Sequence, residues 1–365
     1  MNRSLFFPLA GLYALLVVPA WLWISIHWPA LLTASWHGHE MLFGFALAVV
    51  AGFLVTRPSR VMILMLLAGW LASRAAPFVS LDSLALVCGL AFPIALLAAT
   101  VPTLLGSAKR WENRIAPLVL VALSLTDLAW WAGWLWLGTE WQQRALLTAI
   151  DLFALMLLIF GGRALQAAMG GYLERRGLPR RDPVRSGHER PLALLMLGAV
   201  LADAGDQASL AGLCCLAAAL LTLQRVWPWQ LAHMFQEPRL WTLGVGYLWL
   251  VAGLLLKALA QLQDGIPVTS LLHGIGIGAI GSLTLVMMAR TASLRARRPL
   301  DPFADIGLAV ILVSAAASSR LLAGFRPADS HFLLWLSVLC WSAAFLILLL
   351  RLLRHASPAD KPRVR

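Results

Sequence analysis

Charge is what this sequence is short of. Only 13% of its 365 residues are Asp, Glu, Lys or Arg, while 60% are apolar. A soluble domain carries about 25% charged residues, so this chain has too little polar surface to cover a water-soluble globule. It also lacks a polar stretch long enough for a separate catalytic domain. The longest, Gly170 to Arg190, holds Arg175, Arg176, Arg180, Arg181, Arg185 and Arg190 and reads as a solvated basic loop between two halves. Cysteine is scarce as well. Cys88, Cys214, Cys215 and Cys340 all fall inside apolar runs and none belongs to a C-x-x-C pair, which argues against a zinc ribbon or a disulfide framework.

What fills the chain instead is long apolar runs. A bilayer core about 30 Å thick needs about 20 apolar residues per helix, and twelve runs qualify, with the third, Val61 to Ala76, and the seventh, Leu192 to Ala204, on the short side. The sequence therefore predicts an all-α, polytopic membrane bundle. It forms a single transmembrane domain over residues 1–350, followed by a basic, Pro-containing cytoplasmic tail over 351–365. The run from Leu5 to Ile26 follows a basic start, as in a signal peptide. It is too long for an h-region and no small-residue cleavage site follows, so it reads as a retained first span.

The formal net charge of +12 would suggest a nucleic-acid partner in a soluble protein. Its placement argues otherwise. Of the 29 Lys and Arg, all but Arg74, Arg144, Lys257, Arg320 and Arg326 fall on the side that holds the N-terminus. By the positive-inside rule both termini face the cytoplasm, in agreement with an even number of spans. The basic excess is a topology signal, and the bilayer, not nucleic acid, is the expected partner.

Histidine carries the chemical signal. His37 and His39 open the second span and His273 opens the tenth, and both spans run inward from the sparsely charged side. Neutral imidazole suits copper, iron or zinc and can hold a haem iron axially. Two residues apart on a helix, however, the rings of His37 and His39 point about 200° away from each other. Either the helix starts after His37, or the two rings serve different partners. His37, Glu40, Met41, Gly44, Ala48 and Gly52 form one stripe, and Gly274, Gly278 and Ser282 form a second row of small residues beside His273. Such rows let a helix, or a flat ligand, approach the backbone closely.

Ionisable residues inside spans are costly and need a reason. Glu40, Asp127, Asp151 and Arg163 fall in this class. Asp127 and Asp151 would suit a proton path or the fixing of a histidine tautomer, or a structural hydrogen bond to a neighbouring helix. Arg163 lies near enough to the cytoplasmic side to snorkel. Trp130, Trp131, Trp134, Trp136 and Trp141 crowd one span end and Trp227 and Trp229 another, the pattern of an interfacial aromatic belt.

The run Trp36-His37-Gly38-His39-Glu40-Met41-Leu42-Phe43-Gly44-Phe45, followed by Ala51-Gly52-Phe53-Leu54-Val55-Thr56, resembles the N-terminal signature of the NnrS family. Gly161-Gly162-Arg163, the Leu240-Trp241 to Gly246-Tyr247 segment, and His273 through Gly278-Ala279-Ile280-Gly281 to Met288-Ala289-Arg290 follow in the family's order over the whole chain. The resemblance implies a multi-pass protein of the bacterial inner membrane that carries haem and copper and is linked to nitric oxide, denitrification and resistance to nitrosative stress. Carried over by position, His37, His39 and His273 would be the haem or metal ligands, with Glu40, Asp127, Asp151, Arg163 and Arg290 as second-shell or proton-path candidates. The match departs from the family at Gly244 and Arg295, where members usually carry histidine, and after Arg163, where Ala164-Leu165-Gln166 replaces an Ile-Pro stretch. Two other functions remain open, a proton-coupled secondary transporter of a small solute and a non-catalytic helper of a respiratory complex.

Overall fold

A chain surrounded by lipid must satisfy its backbone hydrogen bonds within itself, so apolar runs of this length become helices. The computed structural model describes residues 5–28, 32–56, 58–107, 111–181, 187–297 and 303–356. Among these the chain forms twelve helical rods and no strand: α1 Phe6–His27, α2 Ala34–Leu54, α3 Arg60–Phe78, α4 Asp82–Ser107, α5 Trp111–Ala132 continued by Gly133–Leu137, α6 Thr139–Arg175, α7 Glu189–Ala204, α8 Ala208–Val226, α9 Pro238–Leu262, α10 Val268–Arg295, α11 Ala304–Phe325 and α12 Ser330–Ala356. Eleven are long and apolar enough to cross a membrane. The exception is α7, whose 16 residues rise about 24 Å, short of the bilayer core.

Two expected boundaries move. The loop assigned to 170–190 begins later, because α6 continues to Arg175 with Gly170, Tyr172 and Leu173 buried. The start of α7 at Glu189 also trims its far end, while residues 182–186, Arg185 included, lie outside the described residues. The tail assigned to 351–365 begins later as well. Helix α12 runs on to Ala356, and Arg351 is buried against Asp305 at 2.5 Å, while residues 357–365 lie outside the described residues.

Rods adjacent in sequence pack against each other, and the first helix, α1, packs on the last, α12. The most buried rods are α2, α6, α9 and α10; α1, α3, α4 and α12 bury much less. Every residue in the predicted site set except Asp127, on α5, stands on α2, α6 or α10. Helix α2 starts where Thr33 caps it, its Oγ1 accepting from Trp36 N–H at 3.1 Å. Three of the central rods or their neighbours carry π-helical turns next to functional side chains, at Glu40–Ala46, Leu157–Gly161 and Gly274–Gly281.

The small-residue row of α10 serves close helix packing. A Cβ on Gly274 would lie 3.1 Å from the Gly253 Cα of α9, the backbone approach that small residues permit. A Cβ on Gly278 would lie 2.6 Å from the Trp249 ring. That indole cannot easily yield, because its Nε1–H donates to Ser314 Oγ at 3.0 Å. Gly278→Ala is expected to cost about 1–3 kcal/mol by overpacking, read as a lower midpoint of thermal unfolding in detergent.

Candidate functional site

Because α2 begins at Ala34, His37 and His39 sit on the same continuous helix and their rings diverge. They do serve different surroundings. His37 lies flat on Trp21 of α1, ring centroids 4.0 Å apart at 20°, with its Nδ1 buried and without a hydrogen-bond partner. His39 is fully buried on the opposite side of α2, facing α5.

The His37 side opens into a partly open cavity of about 410 Å³ lined by α1, α2, α6, α10, α11 and α12. His273 enters the same cavity from α10, and Met41, Phe45, Leu146, Ile277 and Trp341 are among its walls. The Nδ1 of His273 lies 2.9 Å from the Thr269 carbonyl oxygen. A carbonyl only accepts, so Nδ1–H donates, and in the neutral ring Nε2 keeps its lone pair. Gly276, next to it on the π-helical turn, has open space where a side chain would stand. Arg320 of α11 completes the lining.

His39 belongs to a separate, closed network. Its Nε2–H donates to Asp127 Oδ1 at 2.8 Å, its Nδ1 lies 3.4 Å from Glu40 Oε1, and its ring stacks on Trp130 with centroids 3.8 Å apart. Glu40 in turn accepts from Arg74 Nη1 at 2.6 Å and from the Tyr13 hydroxyl. The stripe expected down α2 is thus divided between two neighbours. His37 and Met41 face the cavity, whereas Glu40 and Gly44 face α3, where a Cβ on Gly44 would collide with Arg74. A π-helical turn over 40–46 bonds i to i+5 and shifts the phase that an α-helical stripe assumes. The aromatic belt also needs correction. Trp130 and Trp131 have no exposed surface and wrap His39, and Trp229 is buried under Arg225 at 5.3 Å. Trp136, Trp141 and Trp227 are exposed, as belt residues are.

Asp151 points away from both imidazole sites. Between α6, α7 and α9 it meets Lys257, which also donates to Asp203 Oδ2 at 2.6 Å, while Gln261 Nε2 donates to Asp203 Oδ1 at 2.6 Å. Both Asp151 and Lys257 are completely buried, and the Asp151 Oδ2 has no partner. The sequence reading counts Lys257 only as one of the five basic residues of the sparsely charged side, and Asp203 does not figure in it. A lysine inside the apolar run 240–262 was the available signal. Arg74 was counted with it and is likewise buried in an ion pair.

Arg163 does not snorkel freely. It makes a two-pronged pair with Glu189 at 2.8 and 2.5 Å. Arg225, which the sequence reading passed over, lies beside it fully buried. Its Nη1 donates at 2.8 Å to the Leu158 carbonyl within the π-helical turn, which also accepts from the Tyr247 hydroxyl at 3.1 Å, and its Nη2 reaches Glu189 at 3.4 Å. Arg290 donates to the Arg239 carbonyl at 3.4 Å, remote from both imidazole sites. Of the two positions where the family usually has histidine, Gly244 is closed by the Met234 sulfur, and Arg295 donates to the Gly52 and Phe53 carbonyls at the end of α2. A cation at a helix C-terminus is well placed there.

The structure therefore brings together His37 and His273, separates both from His39, and distributes Glu40, Asp127, Asp151, Arg163 and Arg290 over other contacts. Among the described residues no group of three or more His, Cys, Asp or Glu is placed to hold a metal ion. All four cysteines are free. A family model described as NnrS protein matches residues 4–357, and comparison with curated proteins gave no match.

Proposed function

The chain belongs to the NnrS family, and on that premise we propose that it is an inner-membrane protein that binds haem through His273 and His37 and contributes to nitric oxide metabolism or resistance to nitrosative stress. Membership makes it a nitric-oxide-related membrane protein at family level. The observation that carries the finer reading is the convergence of two imidazoles, from α2 and α10, on one apolar cavity.

The residues present fit a haem better than a bare copper ion. The Nδ1–H of His273 is tied to a backbone carbonyl, which orients the ring and leaves Nε2 as the donor, the arrangement that ligating histidines use. The walls around it are apolar, and the volume of about 410 Å³ lies in the range of small-molecule pockets. A copper ion would share this cavity with the Arg320 guanidinium, which repels it, and the described residues supply no three-ligand group elsewhere. No step through copper is drawn from this site. Bound haem would supply an iron able to take a diatomic nitrogen oxide and exchange an electron. The chain's own part is to present the His273 lone pair, stack His37 on Trp21, and offer a mostly apolar surface on α2, α6 and α10 to the body of the ligand.

Protein purified from cells supplied with iron is expected to show a Soret band. His273→Ala is expected to abolish it, while His39→Ala, remote from the cavity, should retain it in whatever protein folds. A colourless, well-folded wild-type preparation would overturn the reading. The charge asymmetry of the loops, with α7 taken as a short twelfth crossing that runs from Glu189 beside Arg163 to Asp203 beside Lys257 and Asp151, supports a topology with both termini cytoplasmic and the cavity on the outer side. A second reading, a proton-coupled transporter, is favoured by the buried Asp151–Lys257–Asp203 group. Solute uptake into proteoliposomes under a proton gradient, lost in Asp151→Asn, would establish it.

A further inference from the structure

Other cations in the helices find acceptors on neighbouring helices: the half-buried Arg290 and Arg295 donate to backbone carbonyls, and four more have carboxylates. Arg74 has Glu40, Arg225 has Glu189, Lys257 has Asp151 and Asp203, and Arg351 has Asp305. Arg320 is different. It is half-buried one turn before the end of α11, lines the cavity with His37 and His273, and among the described residues has no hydrogen bond or ion pair. A guanidinium held beside apolar walls without a counter-ion carries a desolvation cost, which a carboxylate arriving with two acceptor oxygens offsets through a two-pronged, charge-assisted contact.

We propose that Arg320 is the counter-ion for a carboxylate carried by the ligand of this cavity, an otherwise apolar molecule whose acid group meets the guanidinium while its body fills the space between α2, α10 and α11. The proposal rests on the reading of this cavity as a ligand site and specifies the chemistry of what enters. The contents of the cavity support it on three counts. Its walls, including Leu42, Phe45, Ile277 and Trp341, favour an apolar body. Its two imidazoles are weak partners for an acid unless protonated, which leaves the guanidinium as the only permanently charged donor among the described lining residues. Among those residues no acidic side chain competes for it. Such a carboxylate has two sources, the propionate of a porphyrin or a fatty acid from the bilayer.

The test uses the full chain in nanodiscs of phosphatidylcholine alone, which removes anionic lipid. Metal-free protoporphyrin is titrated by its own fluorescence, so that no iron ligation contributes, and compared with its dimethyl ester. Wild type is expected to bind the diacid about tenfold or more tightly than the diester, since a charge-assisted hydrogen bond is worth about 1.5–3 kcal/mol. Arg320→Gln is expected to bind the diacid no better than the diester, and Arg320→Lys to recover part of the difference. Laurate that displaces the porphyrin from wild type at lower concentration than from Arg320→Gln would identify a bilayer fatty acid as a competing source. Failure to displace it would point to the porphyrin propionate.

Equal affinity of wild type for diacid and diester, an unchanged diacid affinity in Arg320→Gln, or no saturable binding of either would overturn the proposal. Ferric haem titrated in parallel separates the two readings. A Soret shift that is insensitive to both esterification and Arg320→Gln keeps the haem reading and removes the role of Arg320. Tight diacid binding without any haem-iron ligation in wild type does the reverse.

Discussion

Lys257→Met is expected to destabilise the protein by about 3–5 kcal/mol. Lys257 is completely buried and joins Asp151 of α6 to Asp203 of α7. Removing it leaves two carboxylates facing each other with only the Gln261 amide as a donor. Breaking one side of a buried pair costs this much because the remaining charge has neither water nor a partner. The three helices α6, α7 and α9 are pinned at this point, so the loss should appear as a lower unfolding midpoint in detergent and as poor accumulation in the membrane. The triple variant Lys257→Met, Asp151→Asn, Asp203→Asn removes every charge and is expected to recover most of the loss, since apolar or neutral replacements of buried ion groups are often neutral overall. A triple variant as unstable as the single one would show that packing, not charge, is at stake here.

Glu40→Ala is expected to have a similar cost, about 3–5 kcal/mol, with an added functional consequence. Glu40 is 1% exposed and is the shared acceptor of the Tyr13 hydroxyl and Arg74, with His39 at 3.4 Å. Without it the Arg74 guanidinium, whose Nε already has no partner, stays buried beside α2 and lacks its carboxylate. Glu40 lies one turn after His37, on the stretch of π-helix that sets where the cavity face of α2 points. Loosening that turn should weaken haem binding as well as stability, although Glu40 does not line the cavity. Glu40→Gln keeps the shape and loses the charge, so it separates the two effects. Thermal unfolding should remain impaired because Arg74 lacks a counter-ion, while the position of the Soret band should be kept. A Glu40→Ala protein as stable as wild type would mean that Arg74 finds another acceptor.

The candidate site was legible in part. The rotation of about 200° between His37 and His39 follows from helix geometry alone, and it leads to two different surroundings once the helix is known to start at Ala34. That Asp127 would hold a histidine was one of the options open to it, and His39 is the ring it holds. Asp151 was legible as an unusual residue, but its partner Lys257, 106 residues away, was not. Trp130 and Trp131 were misread as interfacial because composition cannot distinguish an indole at a helix end facing lipid from one turned inward onto an imidazole. The cavity itself, with Arg320 from α11 meeting residues of α2 and α10, had no sequence signature at all.

By itself the sequence determined the class of the protein, the approximate positions of its rods, the asymmetric distribution of its loop charges, and the residue types available for chemistry. These depend on length and apolarity read along one segment at a time. The tertiary structure decided which cation meets which carboxylate, which face of α2 opens to the cavity, and which two of three histidines share it. In a bilayer the lipid tails are as apolar as a neighbouring helix, so hydrophobicity does not mark which face of a rod turns inward. That choice is made by close small-residue contacts such as Gly253 with Gly274, and by π-helical turns that shift the phase of a face. Both act only when the rods are packed.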